Sequence, residues 1–173
     1  MKMGTKSLLF GTHQILWHPF TLFLAWYELY GWPSWKEIVC IFLHDIGYVS
    51  CPDMDGPCGE NHPLLGARIA GKLFGKEYYD LCLYHSRTTA SKHNVQPSRL
   101  CWVDKLSIKW EPVWFYILRA HLSGEIKEYR KHAAEFDAIP LSQSNREWFS
   151  WARERMIKKA YAHDVRPAYE VGS

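Results

Sequence analysis

Start and stop signals for helices recur along this chain, and no segment alternates apolar and polar residues as a strand does. Ser34 and Glu37 form a capping box in front of the apolar run 38–43. Ser144 and Glu147 form a second capping box in front of the last helical segment. The fold class that these signals predict is all-α.

Proline and glycine divide the rest of the chain into further helical segments. Together with the capping boxes they predict helices over 5–17, 19–30, 35–43, 63–74, 76–86, 97–110, 112–121, 125–138 and 145–162. Gly47 is expected to end the third of these helices in a left-handed conformation. The stretches 48–62 and 87–97 are expected to be irregular, because glycine, proline or polar residues interrupt them.

The length of 173 residues suits one compact domain over 1–173, and a hydrophobic share of 47% is enough to build its core. Within it we distinguish a motif-bearing part over about 13–110 from C-terminal helices over 112–173, where we identify no motif. A net charge of +3 is too small to indicate nucleic acid or a membrane. We therefore expect no stable nucleic-acid complex and no membrane association; the oligomeric state stays open, a homodimer included.

The apolar N-terminal segment needs a separate interpretation. Residues 7–27 contain no Lys, Arg, Asp or Glu, which imitates a signal peptide or a membrane span. His13, His18 and Pro19 interrupt this run, and polar rings in an apolar segment are costly without partners. The segment is therefore predicted to form buried helices with a break near Pro19.

The cysteine pattern favours reduced thiols and a cytoplasmic location. The chain has an odd number of cysteines and no closely spaced pair of the C-x-x-C type: Cys40, Cys51, Cys58, Cys82 and Cys101. A chain with a sufficient core needs no disulfide framework. A zinc site that uses Cys51 and Cys58 is the alternative, although a second pair at zinc-ligand spacing is missing.

The candidate metal-binding and catalytic side chains form an ordered series of imidazoles and carboxylates along the chain: His18, His44, Asp45, His62, His85 and Asp104. Such donors suit a divalent Mn, Fe, Co, Ni or Zn ion. Asp45 and Asp104 each follow an apolar run, and a buried aspartate must be paired, hydrogen-bonded or metal-bound. Each histidine taken alone is more often an ordinary core residue than a ligand, so the prediction of a metal site depends on the whole series.

The segment Ile41-Phe-Leu-His-Asp-Ile-Gly47 resembles the defining motif of the HD-domain superfamily of metal-dependent phosphohydrolases. The segments 62–66, 83–86 and 103–106 resemble the later parts of the same pattern, so that the similarity covers about half of the chain. The resemblance implies an all-helical domain with the metal site in its core. It also implies a hydrolase that cleaves a phosphoester or phosphoanhydride of a nucleotide-like small molecule.

Residue roles follow from the resemblance alone. It implies that His18, His44, Asp45 and Asp104 bind a first metal ion, and that His62 and His85 complete a second site with Asp45 bridging. His13 competes with His18 for the first position, and we prefer His18. With a single metal, His62 and His85 become proton donors. The implied catalytic residues are Asp45, His62, His85 and Lys105.

A phosphate substrate needs cationic partners, and an aromatic face can stack a nucleobase. The candidates for substrate binding are Arg87, Lys92, Arg99, Lys105, Tyr48 and Trp102. Two other functions fit the same residues. One is a mixed-valent di-iron oxygenase of the same superfamily, acting on a small polar substrate. The other is a non-catalytic helical binding module.

Overall fold

The computed structural model describes residues 1–54 and 56–163, and the regular structure in these ranges is entirely helical. The α-helices are α1 Met3–Phe10, α2 Trp17–Tyr30, α3 Trp35–Leu43, α4 Pro57–Glu60, α5 Pro63–Phe74, α6 Lys76–Leu83, α7 Arg87–Lys92, α8 Arg99–Ser107, α9 Val113–Ser123, α10 Glu125–Phe136 and α11 Asn145–His163. Short 3-10 turns follow α3 and α8, at Ile46–Tyr48 and Ile108–Trp110. The all-α prediction is confirmed.

Both predicted capping boxes are present. The Ser34 hydroxyl accepts from the Glu37 backbone N–H at 3.3 Å, and the Glu37 carboxylate accepts from the Ser34 N–H at 2.7 Å. Ser144 and Glu147 repeat both bonds at the start of α11. Each such cap contributes about 1 kcal/mol. Among the described helices, none is long and apolar enough to cross a bilayer.

The first helix is shorter than the sequence predicts. It ends at Phe10 instead of continuing to 17, and residues 11–16 form an irregular turn before α2. Arg119 explains the break, because its guanidinium donates to the carbonyls of Gly11 and Thr12 at 3.0 and 3.3 Å. These carbonyls are therefore satisfied from α9 instead of by a continued helix.

The two stretches predicted as irregular both contain a short helix. α4 lies within 48–62, and α7 lies within 87–97, where the Ser86 hydroxyl accepts from the Thr89 N–H at 3.3 Å. Gly47 does not take the predicted left-handed conformation, because its φ is not positive and it lies inside the 3-10 turn. Its role is a close approach instead: a Cβ there would lie 2.0 Å from the His62 carbonyl oxygen.

The two main parts of the core in the described residues are joined by α11, and a third, minor cluster lies near α1. The larger part is built by α2, α3, α5, α6 and α8, with Trp26, Leu22 and Leu100 fully buried. The smaller part is built by α9, α10 and α11 around Phe149. Ile157 of α11 packs against both parts. The C-terminal helices are thus packed on the motif-bearing part.

The cysteine prediction is wrong for two of the five residues. Cys51 and Cys58 form a disulfide, with their Cα atoms 5.5 Å apart, whereas Cys40, Cys82 and Cys101 are free and buried. The turn around α4 brings the two cysteines together, which their linear spacing did not indicate. Because both sulfurs are in the disulfide, the zinc alternative for this pair is also wrong.

Candidate metal centre

The structure brings the six residues of the imidazole and carboxylate series together in one place, which we call the Asp45 cluster. Five of them lie at or next to the ends of helices that are far apart in the chain, and the sixth lies within α8. The members are His18 in the first turn of α2, His44 and Asp45 after α3, His62 before α5, His85 after α6, and Asp104 in α8. All are buried except Asp104, which is half-buried. Gly66 permits this convergence, since a Cβ there would lie 2.2 Å from the Leu43 carbonyl oxygen.

Asp45 lies at the centre, with imidazole nitrogens on both of its oxygens. Its Oδ2 atom is 3.0 Å from His44 Nε2 and 3.4 Å from His18 Nε2. Its Oδ1 atom is 3.4 Å from both His62 Nε2 and His85 Nε2. One carboxylate therefore faces two separate pairs of nitrogen donors, which is the arrangement of a bridging ligand.

Asp104 adds a second carboxylate on the His18 side, because its Oδ1 lies 3.2 Å from His18 Nε2. The donor atoms of His18, His44 and Asp104 all lie within 4.8 Å of one another. The donor atoms of His44, Asp45 and His85 satisfy the same limit. Both sets have a spacing at which donors can hold a metal ion.

Backbone carbonyls orient three of the four histidines. In each case Nδ1 lies 2.5–2.7 Å from the carbonyl oxygen of the residue three positions earlier, for His44, His62 and His85. A carbonyl can only accept, so Nδ1 carries the ring proton and donates it. The Nε2 lone pair is therefore directed towards Asp45, as in histidines whose second nitrogen binds a metal.

Several buried atoms of the cluster have no hydrogen-bond partner within the described part of the chain. These atoms are Nε2 of His18, Nε2 of His44 and Oδ2 of Asp45. In addition, Nε2 of His62 and Nε2 of His85 lie 2.9 Å apart with both Nδ1 atoms already donating. Unsatisfied buried polar atoms and opposed lone pairs are costly unless a proton or a cation lies between them. The residues present therefore fit a divalent ion with nitrogen and oxygen ligands.

The protonation states suit the same interpretation. Burial raises the pKa of Asp45, but His44 and His13 outweigh it and hold that pKa well below its ordinary value. Burial, followed by the proximity of His85, lowers the pKa of His62 to about 3. Burial lowers the pKa of His18, but Asp104 and Asp45 overcome this effect and raise it to about 10. A metal ion bound by His18 would therefore have to displace a proton from it.

The geometry separates His13 from His18. The Nε2 atom of His13 is 4.0 Å from Asp45 Oδ2, farther than the Nε2 of His18. Its Nδ1 is engaged by the Ser7 hydroxyl at 2.8 Å and by Glu125 at 3.1 Å. His18, by contrast, lies between two carboxylates. The preference for His18 as the first ligand is thus consistent with the structure, and His13 is a neighbour of the site.

Glu125 is the site-related residue that sequence reasoning missed. It is fully buried at the start of α10 and accepts hydrogen bonds from several side chains. With it, these side chains form what we call the Glu125 cluster: Ser7, Thr12, His13, Ser123 and Tyr129. Ser7 and Thr12 are more than 100 residues away in the chain, so no local pattern indicated them.

A cavity of about 620 Å³ opens beside the Asp45 cluster. His13, His18 and Asp104 form one part of its wall, and α10 and α11 supply much of the remainder. Aromatic side chains on the C-terminal helices line it: Tyr116, Tyr129, Phe136, Trp148 and Trp151. The C-terminal helices, in which the sequence showed no motif, therefore form a large share of the cavity wall.

Only two of the four cations predicted for substrate binding line this cavity, namely Arg87 and Lys105. Lys92 pairs with Glu60 at 2.7 Å. Arg99 pairs with Glu37 at 2.7 Å and lies over the Trp26 ring. Lys92 and Arg99 do not line the cavity, because α7 and the start of α8 direct them elsewhere, so the structure does not bring them together with Arg87 and Lys105.

The two aromatic residues predicted to stack a base are already packed. Tyr48 lines the cavity, but its ring stacks on His62 with centroids 4.1 Å apart. Trp102 is buried in the larger core and stacks on His163 at 4.4 Å. Neither ring presents an open face for a nucleobase, and Tyr48 instead supports the orientation of His62.

No protein-family model, curated protein or solved structure matches this chain. The HD-domain resemblance therefore depends on the residues of the motif and stays a prediction. The observations that bear on function are those of the Asp45 cluster and its cavity.

Proposed function

We propose that this chain is a metal-dependent phosphohydrolase that cleaves a phosphoester or phosphoanhydride of a nucleotide-like small molecule. The observation that carries the proposal is the two-sided arrangement around Asp45. Its two oxygens face two pairs of imidazole nitrogens, and the cluster adjoins a cavity with cationic side chains. Metal ligands on one side and cations on the other are what a phosphoryl group requires.

The donors divide into two sets around the shared carboxylate. His18, His44 and Asp104 would hold one ion with Asp45. His62 and His85 would hold a second ion with the other oxygen of Asp45. Fe, Mn, Co, Ni and Zn all accept such nitrogen and oxygen donors. A divalent ion bound here would lower the pKa of water and neutralise charge on phosphoryl oxygens.

The protein's own residues prepare the site for this chemistry. The three backbone carbonyls hold the imidazole rings in one tautomer, and Lys105 lies beside Asp104 on the cavity wall. Arg87 lines the same cavity, so Lys105 and Arg87 would bind oxygens of the substrate phosphate. The low pKa of His62 favours its role as a ligand over the alternative role of proton donor.

The test is elemental analysis of the purified protein, followed by a panel of nucleotides with Mn, Co, Ni and Fe. We expect bound metal and release of phosphate from at least one substrate. Asp45→Asn should abolish both, whereas Asp80→Asn, which alters an aspartate of α6 paired with exposed Lys76, should change neither. Bound metal without phosphate release from any substrate would overturn the hydrolase proposal.

A di-iron oxygenase acting on a small polar substrate is the second candidate, because the same bridging carboxylate and imidazole donors suit iron. Measurement of oxygen consumption by iron-loaded protein separates the two candidates. A non-catalytic binding module remains the third alternative. It predicts that the purified protein lacks metal and that His44→Ala leaves its stability unchanged.

Partners and location belong to the same proposal. The partner is a small-molecule substrate, with no nucleic-acid or membrane partner. A cytoplasmic location stays a prediction, and the Cys51–Cys58 disulfide is an observation against it, because disulfides are rare in reducing compartments.

A further inference from the structure

Four cationic side chains line the cavity beside the Asp45 cluster, and two of them come from the last helix. Arg87 belongs to α7, Lys105 to α8, and Arg155 and Lys159 to α11. The last two are one helical turn apart and thus on the same face of α11. Because α11 is far from α7 and α8 in the sequence, the sequence did not indicate that Arg155 and Lys159 share a cavity with the other two cations. We call these four residues the cation group.

The cation group has few carboxylate partners. Across residues 1–54 and 56–163, Arg155 pairs with Asp137, whereas Arg87, Lys105 and Lys159 form no ion pair. The Arg155 guanidinium also lies 5.2 Å from the centre of the Trp151 ring, which restricts its orientation. Cations that share a cavity repel one another, so the cation group raises the electrostatic free energy of the protein when no anion is bound.

The electrostatic effect is visible on Lys159. Burial lowers its pKa first, and then the charges of Arg87 and Arg155 lower it further, with a smaller contribution from Lys105. Asp137 opposes the shift but does not cancel it. Arg87, Lys105 and Arg155 therefore act on Lys159 across the cavity that all four residues line. An anion in the cavity would relieve their repulsion.

The cation group extends the site away from the metal ligands. Lys105 follows Asp104 directly in α8, and α8 packs on α11, which carries Lys159 and Arg155. A substrate phosphate at Asp104 and Lys105 would therefore leave the α11 cations free for another anionic group. The cavity of about 620 Å³ has the size of a ligand of nucleotide dimensions.

We propose that Arg155 and Lys159 form a second phosphate-binding site, so that the ligand of this cavity carries two or more phosphate groups. This inference rests on the proposed function for the group at the metal centre. It deepens that function, because it selects diphosphates and triphosphates over monophosphates. It also gives α11 a role in ligand binding.

Lys159→Gln tests the proposal, with Lys158→Gln as the matched control. Lys158 is the neighbouring residue on α11, is exposed, and pairs with Glu154 outside the cavity. Lys159 is preferred to Arg155 as the test position because loss of Arg155 would also remove the pair with Asp137. Lys159→Arg keeps the charge and should keep the function. Thermal unfolding of each variant checks that it is folded.

The first readout is calorimetric binding of inorganic pyrophosphate and of inorganic phosphate to metal-free protein. We expect pyrophosphate to bind more tightly than phosphate to the unaltered protein. Lys159→Gln should weaken pyrophosphate binding by about tenfold, the effect of one charge-assisted contact. Lys158→Gln should have no effect. Equal weakening by both variants, or none by Lys159→Gln, would overturn the second phosphate site.

The second readout is kcat/KM for a nucleoside diphosphate relative to the monophosphate, with metal-loaded protein. Lys159→Gln should lower the ratio by about tenfold. An unchanged ratio in an active enzyme contradicts the second phosphate site and leaves the hydrolase proposal intact. Conversely, an inactive protein that still binds pyrophosphate through Lys159 contradicts the hydrolase proposal and supports the second site.

Discussion

The Asp45 cluster and the Glu125 cluster are two buried groups of polar residues that meet at His13. Each contains a carboxylate whose pKa lies below its ordinary value, although burial alone would raise it. Their hydrogen bonding is different. Both oxygens of Glu125 accept hydrogen bonds, from Ser7 Oγ at 2.6 Å, Thr12 Oγ1 at 2.6 Å and the Thr12 N–H at 2.9 Å among others. Oδ2 of Asp45 accepts none within the part of the chain described here.

This difference shows how a structural charge can be told from a ligand site. The chain itself supplies every partner that Glu125 needs, so that Glu125 joins the turn after α1 to α9 and α10. Around Asp45, three imidazoles already donate their Nδ1 proton to a backbone carbonyl, whereas His18, whose pKa is raised, holds a proton towards Asp45 and Asp104. The buried atoms of the cluster that have no partner in the described part of the chain would be satisfied by a cation from outside it.

The largest effect is expected from Asp45→Asn. This substitution removes the charge that both sets of donors share, so metal content should fall to background. The value of kcat/KM for phosphate release should fall by about 1000-fold or more, since a catalytic metal contributes several kcal/mol of charge stabilisation. Elemental analysis and a phosphate assay measure the two effects. Retention of full metal content would show that Asp45 is a structural carboxylate like Glu125.

Glu125→Gln should act on stability instead. The amide places a donor among donors from Ser7, Thr12 and Tyr129, and leaves at least one of them unsatisfied. We expect the free energy of unfolding to fall by about 3 kcal/mol, measured by urea denaturation, while the metal stoichiometry of the folded protein is unchanged. Loss of metal at full stability would place Glu125 in the metal centre.

The effect of Glu125→Gln on stability should also depend on pH. The pKa of Glu125 is lowered in the folded state, because hydrogen bonds and the charge of His13 outweigh the effect of burial. The contribution of Glu125 to the free energy of unfolding is therefore present at pH values above its unfolded pKa, about 4.5. This contribution is lost as the pH falls towards the lower pKa of the folded state. Below pH 4.5 the stability difference between the two proteins should narrow. A constant difference would mean that the charge of Glu125 is not what stabilises the fold.

The Cys51–Cys58 disulfide is expected to have a moderate effect. It closes a short loop, so its reduction should lower the free energy of unfolding by about 2 kcal/mol. The disulfide lies outside both clusters, so metal content should not change. Thiol titration of the denatured, unreduced protein should find the three free cysteines. Five reactive thiols would show that the bond is absent.

The smallest effect concerns proton release by the Asp45 cluster. The raised pKa of His18, about 10, means that it is protonated in metal-free protein at neutral pH. Metal has to displace this proton, so metal affinity should rise about tenfold from pH 6 to pH 7. His18→Gln should bind metal more weakly and lose most of this pH dependence. A pH-independent affinity in the unaltered protein would exclude His18 as a ligand.

The sequence was informative about the candidate metal centre because several of its residues have a local signature. His44 and Asp45 follow an apolar run, and His62 precedes a proline that begins a helix. For Lys92 and Arg99, in contrast, the local sequence was misleading about position in the fold. Proximity to His85 along the chain indicated proximity in space, but α7 turns Lys92 towards Glu60. Glu125 and Lys159 had no local signature at all.

The sequence by itself determined most of the longer helices and the donor types. Capping boxes and helix stops act over three or four residues, so their residue types are sufficient to predict them, as at Ser34 and Gly75. Only the tertiary structure decided that Asp45 faces two pairs of imidazoles, that Glu125 is satisfied, and that α11 brings Lys159 to the cavity. Those arrangements depend on contacts between residues far apart in the chain, which form only when the helices pack around a common core.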